Sequence, residues 1–262
     1  MKCLIAGMPS TGKTTFIGAL SYLLSNPVEG QALSFAEIPA DFSYLNRLQQ
    51  PWLSIKEVDR TQIGGATNIE LSLKRNTDGN VISVSLPDIA GENFQAIVQK
   101  QSQLIKDWDS EPDSLMLFIK DLNSSVFADQ FQNDDTIKDT KLPSFDMKDI
   151  SNEVQNVLIL KELHNLFPWK KLAICFTAWD VYQNNYSNPR EYLKQNSRFM
   201  NNFIKRYFPD AKLFGISAQG DIYSTENVES LIEKTENGQR SFVVTEDGIK
   251  SYDLTLPLSS LI

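Results

Sequence analysis

Histidine and cysteine are nearly absent from this chain. One histidine, His164, and two cysteines, Cys3 and Cys175, are all that 262 residues contain. No Cys or His lies at metal-ligand spacing from another, which excludes the common zinc patterns. His164 reads as an ordinary helix residue. Each cysteine sits inside an apolar run, as a reduced thiol in a core does, so a disulfide framework is excluded as well. Long apolar stretches are missing too. The N-terminal run Cys3 to Ala6 is far too short for a signal peptide or a membrane span. Positive charge is scarce: 25 Lys and Arg face 33 Asp and Glu, a formal net charge of −8. A broad nucleic-acid footprint is thereby disfavoured, with room left only for a local basic patch. There is no glycine after Met1 and no cysteine near Ile262, so no lipidation motif is expected. These absences together describe a cytoplasmic protein.

What is present is a globular composition, 41% apolar, in a chain long enough for one domain with a sizeable core. The reading is a single domain over 1–262, with an acidic insertion at 121–149 expected to be mobile and a C-terminal hairpin extension at 239–262. Short apolar runs at 2–6, 114–120, 171–178 and 212–217 read as buried strands. Runs at 68–75 and 81–87 flank Asp78-Gly79, a hairpin signal, and should pair antiparallel. Helical spacing begins at Lys13 with Phe16, Ile17 and Leu20, and ends at Asn26-Pro27. Further helices are expected at 93–108 and 150–167, from Asn188-Pro189 to near Tyr207, and at 225–236. The spacing around Pro51 permits a helix broken there. A second hairpin should turn at Asp247-Gly248. Strands alternating with helices predict an α/β three-layer sandwich with a mostly parallel sheet and one antiparallel edge strand.

Four stretches carry chemistry. Gly7-Met8-Pro9-Ser10-Thr11-Gly12-Lys13-Thr14 fits G-x-x-x-x-G-K-[ST] at every fixed position, between a strand and a helix. Such a loop turns its backbone N–H groups onto phosphate oxygens at a helix N-terminus. Gly7, Ser10, Thr11, Gly12, Lys13, Thr14 and Thr15 are the nucleotide-binding candidates. Lys13 reaches the β- and γ-phosphates, and Thr14 offers a hydroxyl to Mg²⁺. In Asp88-Ile89-Ala90-Gly91-Glu92, a strand-end acid can hold Mg²⁺ through water, while the Gly91 N–H can contact a γ-phosphate. In "FTAWD", Asp180 can accept both N1–H and N2–H₂ of guanine, with Thr177 opening the motif. In "GISAQG", Ser217-Ala218 ends the next strand and resembles the S-A element of GTPases, which implies a backbone N–H approaching guanine O6. A threonine ahead of the second strand completes the set. Thr67 is favoured because it directly precedes the strand and is spaced suitably from Asp88; Thr61 is the alternative. Gly64 and Gly65 would let that segment move.

In this order the motifs resemble a P-loop GTPase of the Ras-like and translation-factor class, over about 7–220. The whole pattern is also similar to the double-GTPase proteins of bacterial gene clusters, GTPase-like domains encoded beside a partner. The resemblance implies GTP or GDP as ligand, Mg²⁺ as cofactor, slow GTP hydrolysis with Lys13, Thr67, Gly91 and Glu92 as the catalytic set, and Thr14, Thr67 and Asp88 as metal ligands. It also implies two switch segments and a protein effector or second GTPase-like chain as partner. Three departures stand out. Ala178 occupies the position of the family's base-covering lysine, with Trp179 beside it as either substitute cover or core. Glu92 replaces the water-orienting glutamine. The segment between the loop and Thr67 is long. Arg60 reads as a surface residue or as an internal arginine finger. Two other readings share the P-loop: a nucleotide-binding scaffold without turnover, and a small-molecule kinase or ATPase. The acidic composition of 121–149 disfavours the kinase, which would need an arginine-rich lid.

Overall fold

A computed structural model describes residues 1–39, 42–56, 66–89, 91, 93–94, 112–122 and 150–262. Its strands are β1 (Cys3–Gly7), β2 (Leu33–Glu37), β3 (Ala66–Arg75), β4 (Val81–Ile89), β5 (Ser114–Ile119), β6 (Lys171–Thr177), β7 (Lys212–Ser217), β8 (Phe242–Val244) and β9 (Lys250–Ser251). Its helices are α1 (Lys13–Ser25), α2 (Ser43–Leu53), α3 (Asn152–Leu166), α4 (Trp179–Tyr182), α5 (Pro189–Asn196), α6 (Arg198–Tyr207), α7 (Val228–Glu236) and α8 (Leu256–Ser259).

β1 and β5 are buried at every position. A strand apolar on both faces needs cover on both, which is the environment of a parallel strand between helix layers. β1, β5, β6 and β7 are indeed parallel neighbours, in the sheet order β1-β5-β6-β7-β8-β9. Strand residues of alternate parity feed two separate cores. Leu4, Leu115, Leu117 and Ile174 pack with Leu160 and Leu163 of α3 and with Leu193 and Ile204 of α5 and α6. Ile5, Met116, Phe118 and Cys175 pack with Phe16 and Leu20 of α1, Leu48 and Trp52 of α2, and Leu258 of α8. Helix, sheet and helix thus form the expected three layers.

β2, β3 and β4 form an antiparallel sheet in that order. It runs beside β1 through a parallel bridge between Lys2 and Ser85, with Ser85 N–H donating to the Met1 carbonyl at 3.3 Å. β1 and β4 therefore end on the same side, where open α/β sheets place their ligands. Antiparallel pairing exceeds the single edge strand expected from sequence. β2 extends one side, and β8 and β9 extend the other with a hairpin at Asp247-Gly248.

The remaining differences are local. α2 runs through Pro51 rather than breaking there. The helix expected from Asn188 to Tyr207 divides at Ser197, whose N–H donates to Leu193 O at 2.9 Å while its Oγ accepts from Met200 N–H at 3.2 Å. A serine that ends one helix and caps the next competes with a continuous backbone ladder. α4, α8 and β2 have no counterpart in the sequence reading. Of the helix expected at 93–108, Asn93 and Phe94 are helical and the rest lies outside the described residues, as do 57–65 and 123–149. Among the described residues no helix is long and apolar enough to cross a membrane.

Candidate functional site

The loop from Gly7 to Lys13 leaves the end of β1 and enters α1. Ser10 and Gly12 adopt φ of +60° and +80°. Left-handed residues alternating with ordinary ones curl a backbone into a concavity lined by N–H groups. Gly12 is the residue that takes this conformation without a Cβ penalty. It is also the N-cap of α1, yet no side chain caps the helix and no acid lies in its first turn. The positive end of a 13-residue helix is therefore left to the loop, an arrangement that attracts anions. Thr11 braces the loop by donating from Oγ1 to Met8 O at 2.9 Å. Lys13 is 6% exposed. Its amine donates to Gly7 O at 2.9 Å and Met8 O at 3.0 Å, and lies 5.6 Å from the centre of the Phe94 ring. Thr14 and Thr15 are half-buried at the start of α1.

Gly91 lies directly against this loop. A Cβ on it would fall 2.4 Å from Pro9 N, 2.5 Å from Pro9 Cα and 2.6 Å from Met8 C. Only a residue without a side chain allows this backbone-on-backbone approach, so the Asp88–Gly91 element meets the loop physically. Thr67 and Asp88 are opposite one another in the β3–β4 ladder. Thr67 is thus the second residue of β3 rather than the residue before it; the side chains of Thr67 and Asp88 lie outside what is described. Glu92, Thr61 and Arg60 also lie outside the described residues.

The base-reading candidates assemble at the ends of β6 and β7. Ser217, fully buried, donates from Oγ to Asp180 Oδ1 at 2.5 Å and accepts from Gly220 N–H at 3.0 Å. This fixes one oxygen of the carboxylate and leaves the other available to accept. Thr177 Oγ1 donates to Ile119 O at 3.4 Å, tying β6 to the end of β5. Ala178 has φ +54° and ψ +41°, a left-handed turn that swings Asp180 into the first turn of α4. Ala178 carries no side chain able to cover a base. Trp179 does not replace it: its ring is 1% exposed and lies 2.2 Å from where a Cβ of Gly215 would be. Trp179 is core, and its bulk is what Gly215 accommodates. The Ala218 carbonyl accepts from Trp52 Nε1 at 2.8 Å and Ser241 Oγ at 2.7 Å.

Four residues were missed in the sequence: Phe94 over the Lys13 amine, and Trp52, Arg240 and Ser241 around the loop at 217–220. Phe94 could have been found from its place three residues after Gly91. The other three are distant in sequence, and no local signal marks them. Among the described residues no group of three or more His, Cys, Asp or Glu could hold a metal. Any metal here would draw on the hydroxyl of Thr14 and the carboxylate of Asp88, both oxygen donors, together with ligand oxygens. That donor set fits a hard cation of the Mg²⁺ kind, which keeps few protein ligands.

Residues 4–261 match the family described as Double-GTPase 1. No curated protein sequence matches the chain. Among solved structures it is similar to Methanosarcina barkeri Roco2 RocCORdC bound to GDP (14% identity, TM-score 0.39, 91% of this chain and 48% of that one). It is also similar to the G domain of the T. maritima FeoB iron transporter (13%, 0.38, 90% and 97%). A third likeness is the S. cerevisiae Ski7 GTPase-like domain bound to GDP and inorganic phosphate (15%, 0.45, 90% and 50%). The chain spans about half the length of the Roco2 and Ski7 chains it matches. Likenesses this distant bear on no residue of the site.

Proposed function

The chain belongs to the Double-GTPase 1 family, and from that premise we propose that it binds GTP and GDP and hydrolyses GTP slowly as a nucleotide-dependent switch. One observation carries the reading. A phosphate-type loop on an uncapped helix, with Gly91 packed against it, shares a sheet edge with the Asp180–Ser217 pair. Phosphate and base would then be read at opposite ends of one nucleotide.

In this proposal the loop N–H groups cradle the α- and β-phosphates, and Lys13 moves its amine from the Gly7 and Met8 carbonyls to the β- and γ-phosphate oxygens. Exchanging two neutral acceptors for charged ones strengthens its hydrogen bonds. Thr14 and Asp88 would hold Mg²⁺, with Thr67 as a further oxygen donor; when bound, the ion neutralises phosphate charge. Gly91 donates its N–H to the γ-phosphate. Water attacks in line, and Glu92 is the proposed orienting group. Catalysis of this kind is positioning and charge stabilisation. Asp180, oriented by Ser217, accepts from guanine N1–H and N2–H₂, and Ala218 approaches O6. We assign the chain a protein partner, either an effector or a second GTPase-like chain; the resemblance to paired bacterial GTPases and the formal net charge of −8 support this.

The test is competition of fluorescent GTP by unlabelled GTP, GDP and ATP in Mg²⁺, with Asp180→Asn alongside. GTP and GDP should displace the probe and ATP should not. Losing a charged hydrogen-bond pair should cut the guanine preference roughly ten- to hundredfold in the variant. Equal displacement by ATP would sink the guanine reading. Absence of phosphate release in single turnover at high protein concentration would sink the hydrolytic one.

A further inference from the structure

Trp52 is the last large side chain of α2, and it is 1% exposed. A buried indole N–H requires an acceptor, and this one spends its donor on the base-reading loop, at Ala218 O. Ser241 Oγ donates to the same oxygen. Both lone pairs of that carbonyl are thus held, from two directions. A trans peptide is planar, with its N–H antiparallel to its C=O. Fixing the Ala218 carbonyl therefore also fixes the Gln219 N–H, which points the opposite way.

Arg240 completes the clamp. It is 2% exposed, and its guanidinium carbon lies 3.9 Å from the Trp52 ring centre. Its Nε donates to Gln219 O at 3.0 Å and its Nη2 to Tyr223 Oη at 2.6 Å. Successive carbonyls, Ala218 and Gln219, are each gripped by a buried side chain. On the other flank, Ser217 is bonded to Asp180 and to Gly220 N–H.

We infer that Trp52 is a positioning residue for base recognition: through Ala218 it holds the 217–220 loop so that the Ala218 and Gln219 N–H groups meet a purine bearing a carbonyl at C6. The inference rests on the guanine reading of Asp180. It assigns O6 discrimination to α2, an element outside the four sequence motifs. A rigid N–H donates to the O6 of guanine and is opposed by the 6-amino group of adenine, itself a donor. Discrimination at the 2-amino group belongs to Asp180.

These roles separate with three nucleotides. Binding of GTP, ITP and ATP is measured for the wild type, Trp52→Phe, Ser241→Ala and Asp180→Asn, with thermal unfolding of each. ITP keeps O6 and lacks the 2-amino group. Ser241→Ala leaves the Trp52 ring untouched and so controls for the volume that Trp52→Phe removes. Trp52→Phe keeps a ring beneath Arg240 and deletes the donor together with part of the ring system. Its GTP-to-ATP preference should fall about tenfold, the worth of one hydrogen bond, while its GTP-to-ITP ratio stays at the wild-type value. Ser241→Ala should shift the same ratio in the same direction. Asp180→Asn should lower the GTP-to-ATP preference and, unlike the other two variants, also collapse the GTP-to-ITP ratio. An unchanged GTP-to-ATP preference in a folded Trp52→Phe overturns the inference alone; if that variant does not fold, an unchanged preference in Ser241→Ala does so. A wild type that binds ATP as tightly as GTP overturns both the inference and the reading beneath it.

Discussion

A methyl group at position 91 has no space to occupy. It would overlap the backbone of Met8 and Pro9, which cannot rotate aside as a side chain can. Gly91→Ala should therefore destabilise the nucleotide-free protein by about 1–3 kcal/mol, the usual cost of overpacking. Urea unfolding measures this, and a change below about 0.5 kcal/mol, the size of a neutral surface substitution, would mean that Gly91 is not packed on the loop. Residues of the candidate site differ sharply in how visible they were. The glycines, Lys13 and Thr14 form a contiguous pattern whose spacing follows from the shape of a phosphate. Ser217 could be read because it ends β7, and Asp180 because it follows the end of β6 by three residues. Trp52 and Ser241 are far in sequence from the carbonyl they share, and only folding brings them there. The left-handed turn at Ala178 was equally hidden, because alanine gives no sign of positive φ.

The behaviour of α2 shows why elements are harder to read than motifs. A proline suggested a break, and the helix continues through it. Pro51 stands three residues from the helix end, so it removes only the N–H that would have met Arg47 O. Ser54 N–H still reaches Gln50 O at 3.0 Å, and Lys56 N–H reaches Pro51 O at 2.8 Å. Burial of Leu45, Leu48 and Trp52 on the sheet outweighs one lost bond. Pro51→Ala restores that donor and should raise stability by about 1–2 kcal/mol, after allowing for the greater freedom of the unfolded chain. An unchanged or lower urea midpoint would show that the missing Pro51 N–H costs the native helix nothing. The central strands were legible because uninterrupted burial writes an uninterrupted apolar run. β2 was not, since its half-buried sequence LSFAE has one fully buried residue and weak alternation.

At the scale of the molecule, two cores share one sheet, and Cys3 and Cys175 lie in the same one. Burial pushes the Cys3 thiol up from 9.0 to about 12 and raises Cys175 well above its ordinary value, with the neighbouring Cys3 adding to the effect. Burial likewise raises the phenols of Tyr182, Tyr192 and Tyr223. A group whose proton is held more tightly in the native state contributes stability that is complete below its unfolded pKa and disappears as pH climbs to the folded value. For Cys3 that window is pH 9 to about 12, at about 1.4 kcal/mol per pH unit. Unfolding free energy should fall steeply above pH 9, and Cys3→Ala should flatten the slope by about one proton. Equal slopes in both proteins would refute the assignment.

The sheet itself ends in two modest strands. On one side β9 has two residues, with exposed Lys250 among them. On the other, β2 shifts register between Phe35 and Glu37 and closes on the exposed Glu37 carboxylate. A long, flat, neutral border would template the addition of a foreign strand; a stub, an irregularity and a charge each discourage it. A fold with this many strands is thereby protected at its borders against the stacking that leads to fibrils.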